Sequence, residues 1–196
     1  MPLDNGIRMG TWNVNSIRTA EAELYQFLDK VKPDILMLQE TKIKRINLTK
    51  DVGTVISQGA KSKNCVEGRY LAGGLATIAR KGLMMKKDQR NTSEFILVTE
   101  LLVEYADEQN ADTEPQVDRV KLINVYFQPN NALEVEERLL STIHQIRQAE
   151  PEARMVIGGD FNQELTDPSN KLRPQLERCN MKVGMYQGNS FFRPNM

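Results

Sequence analysis

The chain has 196 residues, 40% hydrophobic and 27% charged, the proportions of an ordinary globular fold rather than a disordered or fibrous chain. Its 26 basic and 26 acidic residues cancel, which argues against attachment to nucleic acid by bulk charge alone but leaves room for a local basic rim. Cys65 and Cys179 lie far apart without CxxC partners, so neither a disulfide framework nor a structural zinc site is indicated. A reducing, intracellular setting, nuclear or cytoplasmic, is expected. No apolar run approaches the ~18 residues of a membrane span, the first residues lack a signal-peptide apolar segment, and no membrane partner is expected.

Ile7 to Val14 reads as a strand buried on both faces near its end, because its apolar residues do not alternate cleanly. It delivers Asn13, Asn15 and Arg18 to one region. Thr19 resembles an N-cap, and Leu24, Phe27, Leu28 and Val31 recur at helical spacing, so an amphipathic helix is predicted over 20–32, ended by Pro33. Residues 34–41 form a second buried strand whose apolar run stops abruptly at Gln39 and Glu40. A carboxylate there is costly to bury unless paired or bound to metal; taken alone, a solvated strand end is the simpler reading. Lys42, Lys44 and Arg45 follow as a small basic cluster. A loop is expected to run to about residue 70, with a short strand inside it over 52–57.

Residues 73–82 read as a strand between glycine turns, and 94–105 as a longer one rich in β-formers. Residues 107–118 read as a solvated acidic hairpin loop and 120–127 as the partner strand, ended by the turn residues Pro129, Asn130 and Asn131. A helix is predicted over 133–149, with Leu139, Leu140, Ile143 and Ile146 inward. His144, the only histidine, sits mid-helix without a visible carboxylate partner and reads as a packing or surface residue. Met155-Val156-Ile157 is a short buried strand stopped by Gly158 and Gly159, and Asp160 and Asn162 follow. A strand end at a glycine turn holds polar groups still, which suits a general base and an oxyanion donor. Taken alone, Asp160 reads equally well as a turn cap. Residues 171–179 are predicted as a short helix that Pro174 makes start late, and 189–193 as the start of another strand. Strands in runs with a few interposed helices suggest two mixed sheets packed face to face, with helices outside.

Asn13, Glu40, Tyr126, Asp160 and Asn162 thus all stand just past apolar runs. Together they fit metal-assisted attack of water on a phosphodiester. Glu40 can supply the carboxylate that Mg²⁺ takes alongside waters and substrate oxygens. Asp160 can orient or deprotonate the water, and the amides and the phenol can bond to the phosphate.

Five blocks appear in order: Thr11-Trp12-Asn13-Val14-Asn15-Ser16-Ile17-Arg18, Leu38-Gln39-Glu40-Thr41, Gly73-Gly74-Leu75-Ala76, Asn124-Val125-Tyr126 with Pro129-Asn130, and Gly158-Gly159-Asp160-Phe161-Asn162. This pattern resembles the endonuclease/exonuclease/phosphatase superfamily. It looks most like the branch of abasic-site endonucleases and the endonuclease domains of non-LTR retrotransposons. Ser190-Phe191-Phe192-Arg193 is similar to a segment those endonucleases carry before their last motifs. The resemblance implies a four-layer α/β sandwich over residues 1–196 as a single domain, and a DNA-nicking phosphodiester hydrolase that uses Mg²⁺ or Mn²⁺. It assigns Asp160 as base, Asn162 as phosphate or transition-state donor and Tyr126 as phosphate contact. Glu40 becomes the main metal ligand, with Asn13 beside the metal, and Asn15, Arg18 and Asn130 face the DNA.

The family pattern departs from this chain at one place. The family closes with an Asp-bearing strand and a Ser-x-x-Asp-His or Ser-Asp-His motif, whose histidine contacts the phosphate. The sequence ends before either, and His144 does not map onto that histidine. A C-terminally incomplete domain lacking its last strands is therefore expected. Two other functions stay open: a catalytically inactive truncated remnant that at most binds nucleic acid, and a phosphodiesterase or phosphatase acting on a small or lipid substrate.

Overall fold

The computed structural model describes residues 6–65, 68–105 and 116–183. The chain divides into two units, Met1–Asn162 and Gln163–Met196. In the first unit, strands β1 (Met9–Asn13) and β2 (Ile35–Gln39) run parallel, joined by helix α1 (Ile17–Val31). Next come β3 (Thr54–Gln58), a hairpin of β4 (Lys61–Cys65) and β5 (Gly68–Ala72), and β6 (Leu75–Ala79). Because β6 pairs antiparallel with both β2 and β3, the first sheet has the order β1-β2-β6-β3. The second sheet has the same plan. Strands β7 (Met84–Lys87), β8 (Ile96–Tyr105) and β9 (Gln116–Tyr126) are antiparallel neighbours. Helix α2 (Ala132–Ala149) then leads to β10 (Arg154–Asp160), parallel to β9, giving the order β10-β9-β8-β7. The layers α1, first sheet, second sheet and α2 make the four-layer α/β sandwich expected from the sequence. The second unit contributes α3 (Leu172–Arg178), which buries Leu172 and Leu176.

Burial on both faces explains why residues 35–38 show no alternation. Ile35, Met37 and Ala79 pack between the sheets with Met85, Leu101 and Leu122. Leu36, Leu38, Ala76 and Ile78 turn outward to pack with Ile17, Ala20 and Leu24 of α1. The sheets approach closely near β10: a Cβ at Gly158 would stand 2.9 Å from the Met37 sulfur. At Gly159, φ is +147° and a Cβ would lie 2.0 Å from the Val125 carbonyl oxygen, so a side chain there is excluded.

Several element limits differ from the sequence reading. Helix α1 starts at Ile17, not at residue 20, because Ile17 is itself a core residue, 3% exposed. Thr19 lies inside the first turn and donates its hydroxyl to the Ser16 carbonyl at 3.1 Å instead of capping. The expected loop up to residue 70 contains the β4–β5 hairpin. Its β4 sequence Lys-Ser-Lys-Asn-Cys is polar throughout, so no apolar alternation betrays it. Strand β7 is short, and only Met85 is buried. Strand β9 begins at Gln116, four residues early, since its ladder with β8 runs out to the pair Tyr105 and Gln116. Helix α3 starts before Pro174, which occupies the first turn, where its missing N–H costs nothing. The strand expected over 189–193 lies outside the described residues. Among the described residues no helix is long and apolar enough to cross a membrane.

Candidate active site

The two parallel pairs end at one mouth. Asn13 is paired in register with Gln39 at the ends of β1 and β2, and Asp160 with Tyr126 at the ends of β10 and β9. The chain turns sharply beyond these ends. Asn15, Ser16, Glu40, Lys42 and Asn162 all have left-handed backbone, with φ of 46°, 118°, 52°, 52° and 48°. Such conformations cost about 1–3 kcal/mol each for non-glycine residues and persist only where the surroundings dictate them. Here backbone bonds do so: Thr41 N–H donates to the Gly74 carbonyl at 3.1 Å, Lys42 N–H to Gly73 at 2.9 Å, and Ile17 N–H to Thr41 at 3.0 Å.

A hydrogen-bonded cluster fills the mouth. The Asn13 side-chain amide donates to Glu40 Oε1 and to Asp160 Oδ2, each at 2.8 Å. The Tyr126 hydroxyl donates to the same Glu40 Oε1 at 2.8 Å. Lys42 Nζ faces Glu40 Oε2 at 3.1 Å and also bonds to Asn15 Oδ1. Asn15 N–H donates to Asn13 Oδ1 at 3.0 Å, fixing which way that amide points. Asp160 Oδ1 accepts from Asn162 N–H at 3.0 Å, while the Asn162 side chain donates to the Phe127 carbonyl at 2.7 Å.

The electrostatics follow from these bonds. Burial pushes the Glu40 carboxyl up, but bonds from Asn13, Tyr126 and Lys42, with the Lys42 charge, outweigh it and hold the group below the ordinary carboxylate range. Burial raises the Tyr126 phenol well above its usual value, and its bond to Glu40 and the charges of Glu40 and Asp160 add to the shift, so the phenol stays a proton donor.

Beneath this layer lies a polar pair between the sheets. Gln39 and Asn124 are 1% and 0% exposed. Gln39 Nε2 donates to Asn124 Oδ1 at 2.8 Å, and Asn124 donates to the Leu38 and Ala76 carbonyls at 3.1 and 2.8 Å. Thr11 donates to Gln39 Oε1 at 3.1 Å. All these groups are satisfied, so the pair locks the register of the two sheets directly under the cluster.

Of the residues singled out by sequence, the structure brings Asn13, Asn15, Glu40, Tyr126, Asp160 and Asn162 together. Arg18, on the first turn of α1, and Asn130, on the 3₁₀ turn Pro129–Asn131, are exposed on neighbouring elements and stand apart from the cluster. His144 is exposed on α2. Sequence reasoning did not single out Lys42 as a site residue, nor Gln39 and Asn124 as its support. The donor set is of hard oxygens, two carboxylates bridged by one amide. Among the described residues no group of three or more His, Cys, Asp or Glu is close enough to enclose a metal. That set fits Mg²⁺ or Mn²⁺, which take one or two carboxylates and keep their waters, better than a structural zinc ion. Glu40 and Asn13 would hold it.

Residues 10–194 match the Endonuclease/Exonuclease/phosphatase family. No curated protein matches the chain in sequence. Among solved structures the chain is similar to the endonuclease domain of TRAS1, a telomere-specific non-LTR retrotransposon, at 16% identity and a TM-score of 0.58, covering 88% of this chain and 72% of that one. It is similar to the AP endonuclease LMAP from Leishmania major at 20% identity and a TM-score of 0.59, covering 82% and 56%. It is also similar to the 3' phosphatase NExo from Neisseria, bound to product DNA hairpin, at 19% identity and a TM-score of 0.53, covering 83% and 60%. At such identities the likeness is one of fold.

Proposed function

The chain belongs to the endonuclease/exonuclease/phosphatase family, and from that premise we propose that it is a phosphodiester hydrolase that nicks DNA, of retrotransposon or abasic-site type. The observation that carries this reading is the Asn13 amide, which bonds at once to the carboxylates of Glu40 and Asp160. Two carboxylates held side by side by an uncharged donor can divide their labour, one toward a cation and one toward water.

In this reading Asp160 is the base. Its Oδ2 is oriented by Asn13 and its Oδ1 by the Asn162 backbone, and it takes the proton of the attacking water. With substrate bound, the protonated Tyr126 phenol turns its single hydrogen from Glu40 Oε1 to a non-bridging phosphate oxygen, and Asn162 donates where negative charge grows. A divalent cation, Mg²⁺ or Mn²⁺, held by Glu40 and Asn13, would supply charge neutralisation at the phosphate when bound. Asn15 within the cluster, with the exposed Arg18 and Asn130 on the elements next to it, would contact the DNA backbone.

The test is nicking of supercoiled plasmid in Mg²⁺ by the full chain, and by Asp160→Asn and Glu40→Gln. Both variants are expected to lose at least ~10² in rate, the cost of one preorganised catalytic group. Nicking that survives in Asp160→Asn would remove Asp160 as base. The zero net charge favours a second reading, a phosphodiesterase or phosphatase on a small or lipid substrate. Turnover of small phosphate esters without plasmid nicking would select it.

A further inference from the structure

Glu40 carries three protein donors on its two oxygens. Asn13 and Tyr126 take Oε1 at 2.8 Å each, and the Lys42 ammonium takes Oε2 at 3.1 Å. The same ammonium bonds to Asn15 Oδ1. A carboxylate oxygen and an amide oxygen are the hard donors a divalent cation seeks, and between them a lysine charge already sits. The backbone anchors the stem of Lys42 beside the cluster. Lys42 has φ of +52°, a conformation long side chains rarely adopt, and its N–H is fixed on the Gly73 carbonyl at 2.9 Å. The side chain is nevertheless 33% exposed, so the ammonium can leave for water without any unfolding.

Resting on the reading of Glu40 as metal ligand, we propose that Lys42 is a resident counter-cation. It holds the cation position of the metal-free protein, and a divalent ion binds only as Lys42 swings away. Its freed ammonium then faces the mouth, where a substrate phosphate would meet it. Metal and substrate binding are thereby coupled through one flexible side chain. Lys42 would act as a positioning residue, neutralising Glu40 and weakening metal binding at the same time.

Opposite signs make this testable. The full chain is titrated with Mn²⁺ followed by electron paramagnetic resonance, beside Lys42→Met, Lys42→Gln and Glu40→Gln. Lys42→Met keeps the apolar stem and removes the charge. It is expected to bind Mn²⁺ about fivefold more tightly than the wild type, the factor a partly exposed ion pair supplies, while its metal-free melting temperature falls. A lysine with only a structural role would lower both. Lys42→Gln, which can still bond to Glu40, should shift affinity the same way and guards against poor folding of the Met variant. In the wild type, acetylation of Lys42 read by mass spectrometry should speed up when Mg²⁺ is added. Suppose Glu40→Gln abolishes Mn²⁺ binding while neither Lys42 variant binds more tightly: Glu40 stays the ligand and this inference alone fails. Unchanged Mn²⁺ binding in Glu40→Gln would overturn the ligand assignment and the inference together.

Discussion

Both side-chain amide hydrogens of Asn13 are committed, one to each carboxylate. Asn13→Ala would leave Glu40 and Asp160 facing one another without a mediator. A fall of about 10²–10³ in nicking rate is expected, with a loss of stability on the order of 1.5–3 kcal/mol for hydrogen bonds to charged groups; a plasmid assay and a urea titration read the two. Tyr126 makes a different case. Burial and the neighbouring carboxylates raise its pKa, so the phenol is protonated throughout the working range. Tyr126→Phe should slow nicking by about 10² without changing the shape of the pH–rate profile. An alkaline limb that disappears in the variant would contradict this. These four cluster residues were legible in the sequence because each ends an apolar run. Lys42 was not, because it looks like one more member of a surface basic cluster. Its partner Asn15 is 27 positions away, and left-handed turns at both residues bring them together. Asn124 sits inside β9 and Gln39 closes β2, and strand periodicity does not say which face meets another sheet.

At the scale of elements, the sequence exposed the strands that carry apolar runs and the two crossover helices, and hid β7 and the β4–β5 hairpin. The reason is the same in each case: these are marginal strands whose pairing depends on a neighbour rather than on their own burial. The second sheet also carries an internal charge ladder that no local pattern announces. Lys121 on β9 and Glu100 on β8 are register partners, both 4% exposed, with Nζ 2.7 Å from Glu100 Oε2. Glu150, just past α2, stands 2.9 Å from Lys121, and Lys86 of β7 stands 2.8 Å from Glu100. Removing one charge from such a network strands the other. Lys121→Met is expected to cost about 3–5 kcal/mol, and the double variant Lys121→Met with Glu100→Leu much less, as chemical denaturation would show. Burial pushes the Glu100 carboxyl up, but bonds from Lys121 and Lys86 outweigh it and hold it below its unfolded value. A carboxyl depressed in the folded state stabilises above the unfolded pKa, about 4.3, and that stability is lost as pH falls through the folded value. Acid titration of stability should therefore drop less steeply below about pH 4.3 in Glu100→Gln than in the wild type.

For the whole molecule the decisive quantity is charge. With 26 acidic and 26 basic residues the protein has no net field to draw in a polyanion. If DNA is the substrate, it must be held by the local rim. Arg18, Lys44 and Arg45 supply it, lining a groove of about 330 Å³ whose floor includes Ile17, Ile43 and Leu71. The groove adjoins the cluster, since Ile43 follows Lys42 and Ile17 N–H bonds to the Thr41 carbonyl. Counterion release then sets a modest salt dependence. Three or four neutralised phosphates give a slope of about −3 in log affinity against log salt, against about −10 for a broad basic face. Fluorescence anisotropy of a labelled duplex over a range of salt concentrations measures this slope. Lys44→Ala with Arg45→Ala should flatten it by about 1–2 and weaken binding evenly across DNA sequences. A small phosphodiester carries one phosphate, so its KM should change little over the same range. The two substrate classes therefore separate by salt dependence alone. A slope near −3 that the double variant flattens assigns the rim to DNA. Salt-insensitive turnover of a small ester, with no measurable duplex binding, would move the proposed function to the smaller substrate.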